Sequence, residues 1–231
     1  MSSTALNGPR VGPAAGGAPR QLVIFCHGYG SNGDDLIGLA PVFQQALPHA
    51  AFVSPNAPQP VPGYPGGFQW WPITRIDPDE MTRGARAAQP ALDGFIDAEL
   101  ARHGLAPGAC ALVGFSQGTM ISLHAGLRRA EPLAAVLGYS GMLPAAEALP
   151  DEIRSRPPVC LVHGDRDEVV PPQALFAAAA GLADAAAPVM VRLERRLPHS
   201  IGPEGLSLGQ AFLRDAFAGR FAGWIASERR P

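Results

Sequence analysis

The amino-acid sequence predicts an α/β fold, with a mostly parallel central sheet and helices on both of its faces. Short apolar runs recur along the chain, at residues 22–26, 50–54, 110–115, 133–140, 159–164 and 189–194. These runs are continuously apolar and do not alternate with polar residues, which is typical of strands covered on both faces. Longer amphipathic segments lie between them, and strands that alternate with helices favour a parallel sheet.

The predicted elements follow one another in a regular order. The first apolar run leads through "HGYGSNG" into a helix at about 34–47, and the second run follows that helix. The other amphipathic segments predict helices at about 82–103, 117–130, 172–186 and 204–225. Residues 11–20 are rich in Gly, Pro and Ala. We therefore expect residues 1–20 to form a flexible segment or a small hairpin, ahead of a single domain at 21–231.

The composition indicates a compact globular protein and argues against several other classes. Of the 231 residues, 47% are hydrophobic and 16% are charged, which suits a large buried core. The net charge is −2, and the 18 basic residues are all arginines scattered along the chain, so nucleic-acid binding is not predicted. The sequence shows no signal-peptide core and no run of about 18 apolar residues. We expect a cytoplasmic protein without integral membrane association.

Three cysteines, Cys26, Cys110 and Cys160, lie in or beside the apolar runs. Unpaired cysteine is among the most buried residue types, so the sequence predicts free thiols inside strands. An odd number of cysteines without paired spacing does not indicate a disulfide framework.

Residues that follow the predicted strands are the candidates for function, because ligands bind beyond the carboxyl ends of strands in such sheets. The segment 114–118, Gly-Phe-Ser-Gln-Gly, joins a buried strand to a helix and fits the G-x-S-x-G turn that presents a serine nucleophile. Its glycines suit a turn that brings the strand and helix backbones close together. The alternative is a tight turn in which Ser116 only caps the helix. Ser140 is the rival nucleophile, but it lacks the second spaced glycine, and we predict that it lines the pocket.

A serine hydroxyl needs a general base to attack a carbonyl near neutral pH. In chains with this serine turn, an acid and then a histidine follow the serine. His199 lies beyond every candidate acid and is the predicted base. Asp167 is the predicted acid. Asp165 is the alternative, but in the tight turn after Gly164 its side chain would more easily bond to nearby backbone N–H groups.

A tetrahedral intermediate also needs N–H donors aimed at its oxyanion. The backbone N–H of Gln117, at the start of a helix, is one predicted donor, and the backbone of Tyr29 supplies the other. Glycines at 28 and 30 allow that backbone to approach a ligand closely. His27 and His163 also end strands, and we predict structural roles beneath the site for both.

The segment 57–73 is too long and irregular for a plain connection between two elements. It carries several aromatic residues, and we predict that Tyr64, Phe68 and Trp70 border a substrate groove. The alternative is a loop whose aromatic side chains simply cover the core.

With these residues in place, the chain resembles the α/β-hydrolase superfamily and, more narrowly, the phospholipase/carboxylesterase family that includes acyl-protein thioesterases. The resemblance rests on "FCHGYGSNGDDL", "GFSQGT" and "HGDRDEVVP", with His199 beyond them, and on "SPNAP" and "WWPI". It implies an α/β-hydrolase fold without a large cap domain. It also implies ester or acyl-thioester substrates of small-molecule type and neither a metal nor an organic cofactor. The triad it implies is Ser116, Asp167 and His199, with Tyr29 and Gln117 as oxyanion donors.

The predicted function is therefore hydrolysis of carboxylic esters or thioesters through a Ser-His-Asp triad and an acyl-enzyme. Two alternatives from other classes stay open. One is an acyltransferase that uses the same triad, and the other is a non-catalytic binding module on the hydrolase fold. The sequence sets no oligomeric state, and a homodimer is one alternative.

Overall fold

The computed structural model describes residues 6–75 and 77–222. Its strands are β1 (Arg10–Val11), β2 (Gln21–Cys26), β3 (Ala50–Val53), β4 (Gln59–Pro60), β5 (Phe68–Gln69), β6 (Cys110–Phe115), β7 (Ala135–Tyr139), β8 (Val159–Gly164) and β9 (Val189–Glu194). Its α-helices are α1 (Gly33–Leu36), α2 (Ala40–Gln44), α3 (Pro78–His103), α4 (Gln117–Arg128), α5 (Leu149–Glu152), α6 (Gln173–Asp184) and α7 (Pro203–Phe217).

The central sheet has seven strands in the order β1-β3-β2-β6-β7-β8-β9. Strands β3 to β9 of this sheet pair in parallel, and only β1 pairs antiparallel, against β3. Each apolar run predicted to be a strand is present as a strand, so the predicted fold class is confirmed. The middle strand β6 carries the serine turn at its carboxyl end.

Both faces of the sheet are covered because alternate strand residues enter different cores. On β2, Leu22 and Ile24 join one cluster with apolar residues of α3 and α4. Val23 and Phe25 join a second cluster on the opposite face, together with residues of α2 and α7. A third cluster lies between α4, α5 and α6. The predicted free thiols are confirmed, since Cys26, Cys110 and Cys160 are unpaired and buried.

The predicted helices are confirmed with different bounds. The helix expected at 34–47 is broken into α1, a 3-10 turn at Ile37–Leu39 and α2. Gly38 and Pro41 account for the break, since glycine has low helix propensity and proline lacks a backbone N–H. Helix α3 begins earlier than predicted, because Asp77 caps Pro78–His103 by accepting a bond from the Glu80 N–H.

Other short elements were not predicted. Arg10–Val11 form an edge strand of the main sheet, within the segment expected to be flexible or a small hairpin. β4 and β5 form a separate two-stranded hairpin, and α5 is a single turn. The last helix ends at Phe217, and residues 223–225 of the predicted helix lie outside the described residues. None of the helices in the described ranges combines the length and the apolarity needed to cross a membrane.

Candidate active site

Ser116 stands in the sharp turn between the middle strand β6 and helix α4. Its φ of 54° and ψ of −117° place a residue with a side chain in the positive-φ region, which costs conformational energy. Hydrogen bonds hold it there: the Ser116 N–H donates to the Tyr139 carbonyl at 2.9 Å, and the Thr119 N–H donates to the Ser116 carbonyl at 3.0 Å. The fold therefore supports a strained serine at the carboxyl edge of the sheet.

The glycines of this turn are required by close backbone packing. A Cβ at Gly118 would clash with the carbonyl of Cys26 at the end of β2, and a Cβ at Gly114 would clash with the Gly118 carbonyl. Because these obstacles are backbone atoms, no rotamer change could make room. This packing agrees with the expectation that Gly114 and Gly118 allow the strand and helix backbones to come close together.

Asp167 and His199 form a hydrogen-bonded pair beyond β8 and β9. The Asp167 Oδ2 atom lies 2.7 Å from Nδ1 of His199, and Asp167 itself is buried. Its other oxygen, Oδ1, accepts the N–H groups of Val169 at 2.9 Å and Val170 at 2.8 Å. Asp165, the alternative acid, is exposed at the turn. The structure thus brings Asp167 to the imidazole.

The surroundings of Asp167 favour its charged form. Burial opposes ionisation, but the hydrogen bond with His199 and the two backbone N–H donors outweigh that penalty and lower the pKa of the carboxyl. An ionised carboxylate accepts a hydrogen bond from the protonated Nδ1 of His199. Nε2 then carries no proton and can take one from another group. His163 lies beneath this pair, with Nε2 2.8 Å from the Val170 carbonyl and 3.3 Å from Asp167 Oδ2. The role beneath the site predicted for His163 stays a proposal.

Phe115, the residue before Ser116, packs against the ring of His199. The Phe115 ring centroid lies 4.8 Å from that of His199, and Ser116 is the next residue along the chain. Between the described residues Ser116 and His199 there is no direct hydrogen bond. Catalytic hydrogen bonds are often long in structures without substrate and tighten in the complex. The contact therefore places the imidazole of His199 against the residue that precedes Ser116.

Two backbone N–H groups beside Ser116 have no acceptor within residues 6–75 and 77–222. One belongs to Gln117, the first residue of α4, where the helix dipole adds positive potential. The other belongs to Tyr29. Tyr29 follows Gly28, where an added Cβ would lie 3.3 Å from the Ser116 Cβ, so this loop passes directly over the serine. These are the two donors that the sequence predicts.

His27 sets the orientation of the loop that carries Tyr29. Its Nδ1 lies 2.8 Å from the Gly28 carbonyl, and its Nε2 lies 2.9 Å from the Ala57 N–H. A carbonyl only accepts and an N–H only donates, so the ring is neutral with its proton on Nδ1. Burial lowers the pKa of His27 and favours this neutral form. Because carbonyl and N–H point opposite ways in one planar trans peptide, fixing the Gly28 carbonyl also aims the Tyr29 N–H.

The side chain of Gln117 has a separate task. Its Oε1 accepts the Trp70 N–H at 2.9 Å, and its Nε2 donates to the Trp71 carbonyl at 2.8 Å. The Trp70 indole N–H donates to the His27 carbonyl at 3.0 Å. These bonds tie the segment after β5 to the serine turn, and they draw Trp70 into the core.

The predicted substrate groove needs correction. Trp70 is fully buried and Ser140 is 1% exposed, so neither side chain offers surface to a ligand. For Trp70 the reason is the set of bonds to His27 and Gln117, and the alternative of an aromatic side chain covering the core is the one found. Phe68 is half-buried and packs against the first core cluster. Tyr64 is exposed and lines an open cleft beside Tyr29.

An apolar cavity that the sequence did not predict lies near the serine. It has a volume of about 340 Å³ and lies between the start of α3, the loop after β7 and the start of α6. Its apolar lining includes Met81, Met142, Leu143 and Ala174. Met142 follows Gly141, where an added Cβ would lie 3.0 Å from the Ser116 carbonyl. The lining residue Met142 is therefore next in sequence to a residue that lies against the Ser116 backbone. The cavity is built from three segments that are distant in sequence, so no local pattern could have predicted it.

Within the described residues, no group of three His, Cys, Asp or Glu side chains is arranged to hold a metal ion. The groups that the structure gathers at this edge of the sheet are a hydroxyl, an imidazole, a carboxylate and two backbone N–H groups.

The chain as a whole is similar to proteins of a known family. The phospholipase/carboxylesterase family matches residues 11–216. Acyl-protein thioesterase 1 of Schizosaccharomyces pombe is 32% identical over 178 residues, covering 72% of this chain and 76% of the relative. Acyl-protein thioesterase 1 of Gibberella zeae is 30% identical over 223 residues, covering 89% of this chain and 94% of the relative.

Solved structures agree with this relation. The crystal structure of esterase PE8 superimposes with a TM-score of 0.88 at 40% identity, covering 92% of this chain and 100% of that chain. Acyl-protein thioesterase 2 of Zea mays has a TM-score of 0.73 at 23% identity, covering 91% of this chain and 99% of that chain, and shows a shared fold.

Proposed function

The chain belongs to the phospholipase/carboxylesterase family and is a hydrolase of carboxylic esters or thioesters, and we propose that it acts through an acyl-enzyme on Ser116. The observation that carries this proposal is the partly buried Asp167–His199 hydrogen bond, together with a serine held at positive φ. A serine in that conformation has a structural cost, which a helix cap alone would not require.

In the proposed first step, Nε2 of His199 takes the proton of the Ser116 hydroxyl while Oγ bonds to the substrate carbonyl carbon. Asp167 stabilises the imidazolium that forms. The carbonyl π electrons move to oxygen, giving an oxyanion that accepts the N–H groups of Tyr29 and Gln117. The intermediate then expels the alcohol or thiol, which takes the proton from Nε2. Water repeats the same sequence on the acyl-enzyme, releasing the acid and restoring Ser116.

The acyl portion of the substrate is proposed to occupy the apolar cavity beside Met142. Burying hydrocarbon there is favourable by about 25 cal/mol for each Å² removed from water. The cavity lies next to the Gly141–Ser116 backbone contact, so a bound chain would bring its carbonyl toward the serine. We also propose a cytoplasmic location, because the three buried free thiols suit a reducing compartment.

The test replaces Ser116 with Ala and measures hydrolysis of p-nitrophenyl esters and acyl-thioesters of graded chain length. We expect kcat to fall on the order of 10⁴- to 10⁶-fold, leaving the contribution of binding and the oxyanion donors. A fluorophosphonate probe should label the parent protein and fail to label this variant. Ser207→Ala, at an exposed position on α7, is the matched control and should keep parent activity. Parent-level turnover by Ser116→Ala would refute the proposal, and transfer of the acyl group to added alcohols at the expense of water would indicate an acyltransferase.

A further inference from the structure

A second concave surface is lined by the loop that carries Tyr29 and by the turn between β4 and β5. This surface, called here the tyrosine cleft, has a volume of about 430 Å³. Its lining consists of Tyr29, Gly30, Ser31, Asn32, Asp35, Tyr64, Pro65 and Gly66. The side chains of Tyr29 and Tyr64 are 44% and 60% exposed.

The walls of the tyrosine cleft are fixed to one another by hydrogen bonds. The Gly30 N–H donates to the Phe68 carbonyl at 2.9 Å, and the Phe68 N–H donates to the Ser31 carbonyl at 2.8 Å. The Asn32 side chain donates to the Gly66 carbonyl at 3.0 Å. The cleft is therefore a built feature of the loop and the β4–β5 hairpin, with little freedom for one wall to slide along the other.

The charge of the tyrosine cleft is negative. Asp35 is exposed, and its Oδ2 accepts the Ser31 hydroxyl at 2.7 Å. Asp35 forms no ion pair with any residue in the described ranges, and none of the lining residues is basic. A carboxylate beside two exposed aromatic side chains attracts a cation, because the face of an aromatic ring carries negative potential.

The tyrosine cleft and the apolar cavity approach Ser116 from different segments. Tyr29 lines the cleft, and Gly28 before it lies against Ser116; Met142 lines the cavity, and Gly141 before it lies against Ser116. An ester bound with its carbonyl at Ser116 has two ends to place. Its acyl end suits the apolar cavity, which leaves the tyrosine cleft for the alcohol or thiol end.

We propose that the tyrosine cleft binds the ammonium group of a cationic leaving group, so that the substrates are esters or thioesters of small ammonium-bearing alcohols or thiols. This inference rests on the proposed function, because the bond that breaks is the same ester or thioester bond attacked by Ser116. The leaving oxygen or sulfur takes a proton from Nε2 of His199. The alcohol or thiol then departs with the positive charge of its ammonium group unchanged. The residues that recognise the charge are Asp35 and Tyr64, together with the ring of Tyr29.

The test compares two esters of equal shape, butyrylcholine and its neutral isostere 3,3-dimethylbutyl butyrate. We expect kcat/KM to be at least about 5-fold higher for the cationic ester at low salt, and this ratio to fall as salt is added. Asp35→Asn and Tyr64→Leu should each lower the ratio about 2- to 5-fold. Asp34→Asn removes the same charge at the neighbouring exposed position outside the lining and is the matched control, which should keep the parent ratio.

A binding measurement separates failure of this inference from failure of the proposed function. Choline is titrated calorimetrically into the Ser116→Ala protein and into the same protein with Asp35→Asn. Choline binding that weakens in the double variant supports the cleft even if no ester is hydrolysed. Equal kcat/KM for the two esters in the parent enzyme, or choline binding that ignores Asp35, overturns the inference while leaving ester hydrolysis untouched. Preference for glycerol esters over both probes would also overturn it, in favour of a polyol site.

Discussion

The position of His27 beneath the Tyr29 loop allows its catalytic and structural contributions to be separated. Replacing His27 with Leu keeps the volume and removes both ring hydrogen bonds. The Ala57 N–H is then a buried donor without an acceptor, which costs about 1–3 kcal/mol of stability. The Gly28 carbonyl loses its 2.8 Å bond and retains only the Ser31 N–H at 3.2 Å, so the Tyr29 N–H is no longer firmly aimed.

The expected cost to catalysis follows from the loss of one oriented donor. Complete removal of an oxyanion donor lowers kcat about 10²- to 10³-fold. Because the Tyr29 N–H remains present but loosely held, we expect His27→Leu to lower kcat about 10- to 100-fold with little change in KM.

Two further variants divide the effect. The amide nitrogen of Asn can occupy the place of Nδ1, so His27→Asn should restore the bond to Gly28 and recover most of kcat while leaving Ala57 unpaired. The amide oxygen of Gln can occupy the place of Nε2, so His27→Gln should recover stability and leave kcat low. The assays are steady-state hydrolysis of p-nitrophenyl butyrate and urea unfolding for each variant. Equal kcat for the Asn and Gln variants, or parent kcat for the Leu variant, would refute the role assigned to His27.

Three other outcomes follow from the structure. His124 is buried with no hydrogen-bond partner for either ring nitrogen in the described part of the chain, and burial, followed by the nearby Arg128, lowers its pKa to about 3. The unfolded chain therefore binds this proton first as the pH falls below about 6.5, and stability is lost at about 1.4 kcal/mol per pH unit down to about pH 3. His124→Leu should remove about 2 kcal/mol of the difference in unfolding free energy between pH 7 and pH 5, and an unchanged difference would contradict the burial argument. Gly118→Ala should lower the unfolding free energy by at least about 3 kcal/mol in urea and abolish fluorophosphonate labelling, because the added methyl group meets rigid backbone; normal labelling would show that the turn can relax. Asp167→Asn should lower kcat on the order of 10⁴-fold, whereas the exposed Asp165→Asn should stay within about 2-fold of the parent in the same esterase assay; equal losses would mean that the acid was misassigned.

The central strands could be predicted because the sheet buries them on both faces, and burial leaves a continuous apolar run in the sequence. β1, β4 and β5 are two residues long each. Such short strands are defined by their hydrogen bonds to a neighbouring strand, and two residues are too few to give a recognisable pattern in the sequence. The break between α1 and α2 carries a local signal in Gly38 and Pro41, yet the apolar spacing across it still resembles one helix.

The serine turn was predictable because its requirements are local: a strand, a serine between glycines and a helix. Asp167 could be chosen over Asp165 because Asp165 lies in the tight turn directly after β8, whereas Asp167 lies two residues further along the chain. The sequence left a groove and a core-covering loop as alternatives for Trp70, because an exposed loop and a buried loop have the same composition. Only the bonds from Gln117 and His27, 47 and 43 residues away, draw it inward.

The proposed base, His199, follows β9, which is an edge strand of the sheet. β9 pairs on one side only, with β8, and its middle residues Val191 and Arg192 are exposed, whereas β6 beneath the serine is enclosed on every side. Gentle warming should therefore loosen this rim while the centre of the molecule stays intact. Turnover would then decrease several degrees below the melting temperature and recover on cooling. The upper temperature limit of activity would be set by β9 and the loop after it, and not by the central strands.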